Sequence, residues 1–309
     1  MRDAEENATS RQKQLAADVS FPAAAVYIDA MKTAVVAFFL SAILFSLPTA
    51  PVGASETDTA RPVVRLVAEA GFLGVIDHRI RFAEEDSTFR YHKDGGQDVL
   101  FPFARLSAEL TLQNRHTVVF LYQPLELETR AELPPDFTVD GVEFEGDSLL
   151  SLYSFPFYRI SYLYRFLDDE RWRLDAGVSL QIRNANIEFE ARGGQVPEEP
   201  AGYYRSSGVG PVPLLKLKAR YSLPRDFYLE SEIDGIYAPI SYLNGSDNET
   251  TGALLDASLR GGYRVTESLE AFINLRYLGG GAANTDPSDY TVNWLHTYAV
   301  SLGAALFVR

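Results

Sequence analysis

From Val63 onward the chain alternates apolar and polar residues in ten separate stretches, and the connections between them alternate too, short and then long. Strict alternation sends successive side chains to opposite faces of a β-strand. Leu215, Leu217, Ala219 and Tyr221 occupy one parity, with Lys216, Lys218 and Arg220 between them. Two-faced segments of about 10 residues, joined by alternately tight and long connections, predict a transmembrane β-barrel with an apolar exterior and a polar lumen. A soluble sandwich is the alternative, and it would turn the charged faces outward.

The pattern predicts strands over Val63–Phe82, Val99–Leu112, a third from Thr117, then Tyr158–Phe166, Trp172–Ile187, Val212–Ser222, Phe227–Ala238, Ala253–Val265, Leu269–Leu278 and Val292–Val308. In the first, Val64, Leu66, Ala68, Phe72, Ile76 and Ile80 share the outward face; Arg65, Glu69, Asp77, Arg79 and Arg81 share the inward one. In the third, Val118, Phe120 and Tyr122 point outward, but beyond Pro124 the apolar set becomes Leu125 and Leu127, followed by Thr129. That switch of parity predicts a β-bulge at Gln123-Pro124. Four tight turns and five long loops give ten strands with both ends on the tight-turn side. The expected fold is all-β: a ten-stranded antiparallel up-and-down transmembrane barrel with short periplasmic turns and long extracellular loops, the latter carrying Asp140, Glu198 and Asp247.

The aromatic residues Tyr162, Tyr164, Phe166, Trp172, Tyr221, Phe227 and Tyr263 gather near the tight turns. Tyrosine and tryptophan favour the membrane interface, so this girdle marks the periplasmic boundary. Upstream, Lys32 precedes an apolar block from Ala34 to Leu47, then Pro48 and Val52-Gly53-Ala54. This reads as a secretory signal over residues 31–54, cut after Ala54, rather than a retained anchor, because the block is shorter than a spanning helix. Residues 1–30 are polar and acidic and read as an extension upstream of a start at Met31, leaving 55–309 as the barrel domain.

Composition narrows the chemistry. Cysteine is absent, which removes disulfides, thiolate catalysis and cysteine metal sites. A net charge of −14 argues against nucleic acid as a partner. The expected surroundings are outer-membrane lipids and lipopolysaccharide, with the barrel-assembly machinery during biogenesis, and neither a cofactor nor a metal is expected.

The chain resembles the small outer-membrane β-barrel proteins of Gram-negative bacteria. The resemblance rests on Leu121-Tyr122-Gln123-Pro124-Leu125, Tyr158-Arg159-Ile160-Ser161-Tyr162, Gly210-Pro211-Val212-Pro213-Leu214-Leu215 and Tyr277-Leu278-Gly279-Gly280-Gly281. It implies a fold and a location but no reaction. Barrels of this kind usually end on an aromatic residue, whereas this chain ends Leu306-Phe307-Val308-Arg309.

Two sets of residues are candidates for function. His78 and His296 fall on the outward parity near the loop ends of the first and last strands, which barrel closure makes neighbours. They are the catalytic candidates for an enzyme acting on lipid A or phospholipid at the outer leaflet; interface anchoring is the simpler reading. The second set is the charged lumen. If Pro224-Arg225-Asp226 is a three-residue turn, position i pairs with 450 minus i. Arg220 then faces Glu230, Lys218 faces Glu232 and Lys216 faces Asp234, and the same arithmetic across Thr266-Glu267-Ser268 sets Arg264 against Glu270. Such a lumen is either an ion path or a charge-paired plug, and the narrowness of a ten-stranded barrel favours the plug. The expected role is structural, surface-interacting or narrow-channel rather than enzymatic.

Overall fold

Among the described residues the alternating stretches fold into fifteen strands: β1 (Val63–Arg81), β2 (Phe89–Arg90), β3 (Leu100–Leu112), β4 (His116–Gln123), β5 (Glu126–Glu132), β6 (Thr138–Val139), β7 (Val142–Glu143), β8 (Ser148–Ser154), β9 (Phe157–Asp168), β10 (Trp172–Arg192), β11 (Tyr203–Ser222), β12 (Phe227–Pro239), β13 (Thr250–Arg264), β14 (Leu269–Asn284) and β15 (Thr291–Val308). The structure is a computed structural model and describes residues 62–81, 88–139, 141–193, 202–239, 250–284 and 290–308. The signal segment, the upstream extension and the loop positions Asp140, Glu198 and Asp247 lie outside the described residues.

Ten of the strands close an antiparallel barrel in the order β1, β3, β4, β9, β10, β11, β12, β13, β14 and β15, with β15 hydrogen-bonded back to β1. The tight turns close at one end. Leu223 N–H donates to the Phe227 carbonyl at 2.8 Å, and Val265 N–H to Leu269 at 2.9 Å. Around the wall, Phe120, Ile160, Val178, Leu180, Leu217, Ile233, Leu259, Ile273, Leu275 and Val300 stand exposed. An apolar belt around a closed barrel with charged residues inside is the arrangement a bilayer requires, so this is a transmembrane barrel of the outer-membrane type.

The strands do not stop at the membrane. β4 and β5 pair with β9 and β8 in one unbroken register, Val119 with Ser161 and Leu127 with Tyr153, and Pro124 falls opposite Pro156. There is therefore no bulge at Gln123-Pro124, and Leu125, Leu127 and Thr129 face inward, not outward: they are buried, while Glu126, Glu128 and Arg130 are exposed. The chemistry inverts and the parity does not, because above the membrane the outer solvent is water and the interior becomes an ordinary dry core. β10 repeats the inversion: inward Asp175, Ser179 and Gln181 give way to inward Ile187, Phe189 and Ala191.

The register does slip in β1, between Val75 and Asp77, where Ile76 is the extra residue. This bulge moves Asp77 and Arg79 to the outer surface, and His78 and Ile80 inside. The assignments of Ile80 and His78 to the lipid face, and of Asp77 and Arg79 to the lumen, are thereby corrected.

Candidate functional site

Three groups of side chains fill the lumen. Near the tight turns Val67, Phe272 and Ala305 pack together with Phe307. Around and above them runs a network of ion pairs, in which Arg65 and Glu270 lie on the tight-turn side of Val67 and Phe272 in their own strands. Capping it, a cluster built around Leu73, Phe101, Phe103, Leu127, Phe157 and Phe189 draws in Tyr91 and Phe137 from the loops.

The ion network is continuous across the barrel. Glu230 accepts from Arg260 at 2.6 Å, Arg65 at 3.2 Å and Arg220 at 3.3 Å. Glu270 accepts from Arg220 at 2.5 Å. Glu69 takes Arg260 at 2.8 Å, Asn274 at 2.7 Å and Ser301 at 3.0 Å. One step higher, Asp256 meets Arg159 at 2.9 Å, Arg105 at 3.2 Å and, in a short contact, Arg276. Asp234 joins Lys216 at 2.7 Å, Arg159 at 2.8 Å and the Ser179 hydroxyl at 2.6 Å. Gln123 shares the Nη1 of Arg105 with Asp256, and Gln181 accepts from the Nε and Nη2 of Arg159. Multivalent pairing of this kind is the condition under which charge is tolerated out of water.

β11 and β12 pair with Lys216 opposite Asp234, Lys218 opposite Glu232 and Arg220 opposite Glu230. The cross-strand contacts differ in weight. Lys218 Nζ is 3.6 Å from Glu232 but 2.9 Å from Glu109 on the far wall, and Lys216 also reaches Glu232 at 3.5 Å. Arg264 is opposite Glu270 in the backbone register, yet its side chain is half exposed at the rim and lies 3.9 Å from Asp226. Glu270 is held instead by Arg220 and Arg65. β13 ends at Arg264, so the side chain has reached water before it can turn inward. Arg276 is a full member of the network that pairing arithmetic between neighbouring strands does not single out, although Glu270, Phe272 and Asn274 share its inward parity.

These pairs are buried, so the few tenths of a kcal/mol expected of exposed ones does not apply. Lys218→Glu is expected to lower stability by about 3–5 kcal/mol, the cost of breaking a buried pair. Adding Glu232→Lys should recover only a minor part, because the carboxylate introduced at position 218 would still oppose Glu109. Urea unfolding midpoints of the two variants check this, and full recovery in the double variant would contradict the geometry.

The two histidines are separated by the wall. His296 points outward, its Nδ1 2.7 Å from the Tyr277 hydroxyl, with the Trp294 ring parallel to it. His78 is buried inside, stacked on Tyr91 at 3.6 Å and edge-on to Tyr153, with the Gln97 amide 3.1 Å from Nδ1. The two rings share no site.

Asp77 and Arg79 pair on the outer surface on either side of His78, which therefore belongs to the water-surrounded cap. Burial, only slightly offset by Gln97, holds it neutral down to about 3, against 6.5 for a free histidine. The two rings packed on it, Tyr91 and Tyr153, are phenols that burial pushes up, the latter to about 12, so neither charges in the same range. The unfolded cap therefore binds the proton first. Its stability is whole above pH 6.5 and falls as the pH drops toward 3, by about 2 kcal/mol at pH 5. Hydrogen exchange at the Tyr91 and Gln97 amides, corrected for intrinsic rates, should quicken at pH 5 relative to pH 7, and His78→Phe should abolish the difference. Equal protection at both pH values in the unaltered chain would refute it.

Among the described residues no cluster of side chains is arranged to hold a metal. No protein-family model matches the chain, and no curated protein sequence matches it. Among solved structures it is similar to the outer-membrane protease OmpT of Escherichia coli, at 10% identity and TM-score 0.48, covering 82% of this chain and 99% of that one. It is also similar to the attachment invasion locus protein Ail of Yersinia pestis, at 8% identity and TM-score 0.33, covering 79% and 99%. A third is AlkL in lipid bilayers, at 12% identity and TM-score 0.32, covering 85% and 97%. At such identities and scores the role has to be argued from this chain's own residues.

Proposed function

We propose that this outer-membrane barrel is a non-conducting structural and surface-display protein, with outer-membrane lipids and lipopolysaccharide around it and the barrel-assembly machinery as its partner during biogenesis. The observation that carries this reading is the doubly closed lumen. An ion path needs charges that bind weakly enough to release. Here Glu69, Glu230, Asp234 and Asp256 are each engaged by two or more partners and almost fully buried, and the cap above them is apolar. The same cap braces the extended β5, β8 and β10 strands, which carry Glu126, Glu128, Glu188 and Glu190 outside the membrane. The alternative reading, a hydrolase acting on lipid, needs a catalytic pair, and the two histidines face opposite sides of the wall.

Purified protein in planar bilayers should show little or no conductance at neutral pH. A large, stable conductance in the unaltered protein would replace the structural reading with a channel.

A further inference from the structure

The barrel wall is not equally closed all round. β11 pairs with β12 only from Ser222 up to Leu215, although β11 continues to Tyr203 and β12 to Pro239. Above that point, among the described residues, β11 is bonded to β10 alone and β12 to β13 alone.

The sequence builds this seam. Leu223 N–H donates to Phe227, across to β12, whereas Ser222 N–H donates to Arg171, back toward β10. Odd positions of β11 therefore direct their N–H toward β12. In the same register the next two bonded pairs would be Pro213 with Tyr237 and Pro211 with Pro239. Of the four N–H groups those pairs need, three belong to prolines and do not exist. An open sheet edge in hydrocarbon costs several kcal/mol for each unmet donor. Proline leaves the edge open while removing three of its four donors, so that the Tyr237 N–H is the one left.

From the seam an open groove of about 580 Å³ runs across the outer face of β10 and β9 as far as Val118 on β4. Its walls are almost wholly apolar. Ile160, Val178, Leu180 and Leu215 line it from the lipid-facing belt, and Leu214 and Ile236, whose parity is inward, line its end at the seam. The other interruption of the wall, between the upper half of β3 and β5, differs: there Asp98 N–H bonds the Thr129 hydroxyl at 3.2 Å and a loop seals the gap.

We propose that the β11–β12 seam is a lateral site that takes one acyl chain of a bilayer lipid between the strands. The groove opens on the belt, so its medium is hydrocarbon, and a hydrocarbon chain loses nothing to the three donors that the prolines lack. A chain resting on the outside of the barrel would touch belt residues such as Ile160, Val178, Leu180 and Leu215. One inserted in the seam reaches Ile236.

Tryptophan quenching by phosphatidylcholine brominated on its acyl chains distinguishes the two. In a Trp172→Phe, Trp294→Phe background, single reporters are placed by Ile236→Trp in the seam, Leu180→Trp on the belt and Leu121→Trp inside the cap. Fully brominated vesicles should quench the seam reporter at least half as strongly as the belt reporter, and the cap reporter several-fold less. Quenching at the seam no stronger than in the cap would overturn the proposal. Pro211→Val, Pro213→Val and Pro239→Val together restore the three donors and should bring seam quenching down to the cap level; undiminished quenching in this folded variant would overturn the role of the prolines. If that variant does not fold, amide exchange of the unaltered protein decides the same point: Tyr237 should exchange faster than Ile233, and equal protection would mean that the seam is closed.

Discussion

Asp256→Ala is expected to destabilise the barrel by about 3–5 kcal/mol, the range for removing one partner from a buried ionic cluster. Asp256 is 1% exposed and receives Arg105, Arg159 and Arg276, three cations that have few other carboxylates within reach. Without it, three guanidinium groups face one another in a lumen closed above by the apolar cap. Asp256→Asn should restore shape but little stability, because the missing quantity is charge. Removing Glu190 from its exposed pair with Arg192 should change almost nothing, as is usual at a surface. Urea titration of protein folded into vesicles, followed by the heat-modifiable band on gels, measures all three. A loss below about 1 kcal/mol for Asp256→Ala would mean that water enters and screens the network.

Phe189→Ala is expected to cost about 3–5 kcal/mol, as large aromatic truncations in packed cores do. Phe189 is fully buried and meets Phe89, Tyr91 and Phe137, each with ring centroids 5.7 Å away. Its position on β10 lies above the belt, so the effect tests whether this part of the barrel is built around a dry centre. A lipid-facing residue behaves differently. Phe120 is 56% exposed, and Phe120→Ala should cost much less, because there the bilayer refills the space. Equal losses at the two positions would deny that the cap is a core.

The charged faces of β11 and β12 were legible because the turn at Pro224-Arg225-Asp226 is short. A three-residue connection leaves one register that keeps charges together and apolar residues together. The partners across the lumen were not legible. Lys218 lies close to Glu109 and Arg260 close to Glu69, and these contacts join residues with no fixed distance along the chain. Arg276 escaped for a different reason: its carboxylate is on the neighbouring strand β13 but lies diagonally, two residues from the directly opposite Ser258.

Alternation by itself determined strand identity, the ten-stranded barrel, the gathering of the tight turns at one end and the belt, because a two-residue period is a local property and the bilayer rewards a single pattern. Only the tertiary structure decided which solvent each face meets. Leu125 and Leu127 look like lipid-facing residues after a slip, but they are core residues above the membrane; His78 looks lipid-facing, but the bulge at Ile76 turns it inside. An apolar residue satisfies lipid and a dry interior equally well, so hydropathy cannot separate them. The height of the residue relative to the bilayer, and the strands that close around it, do.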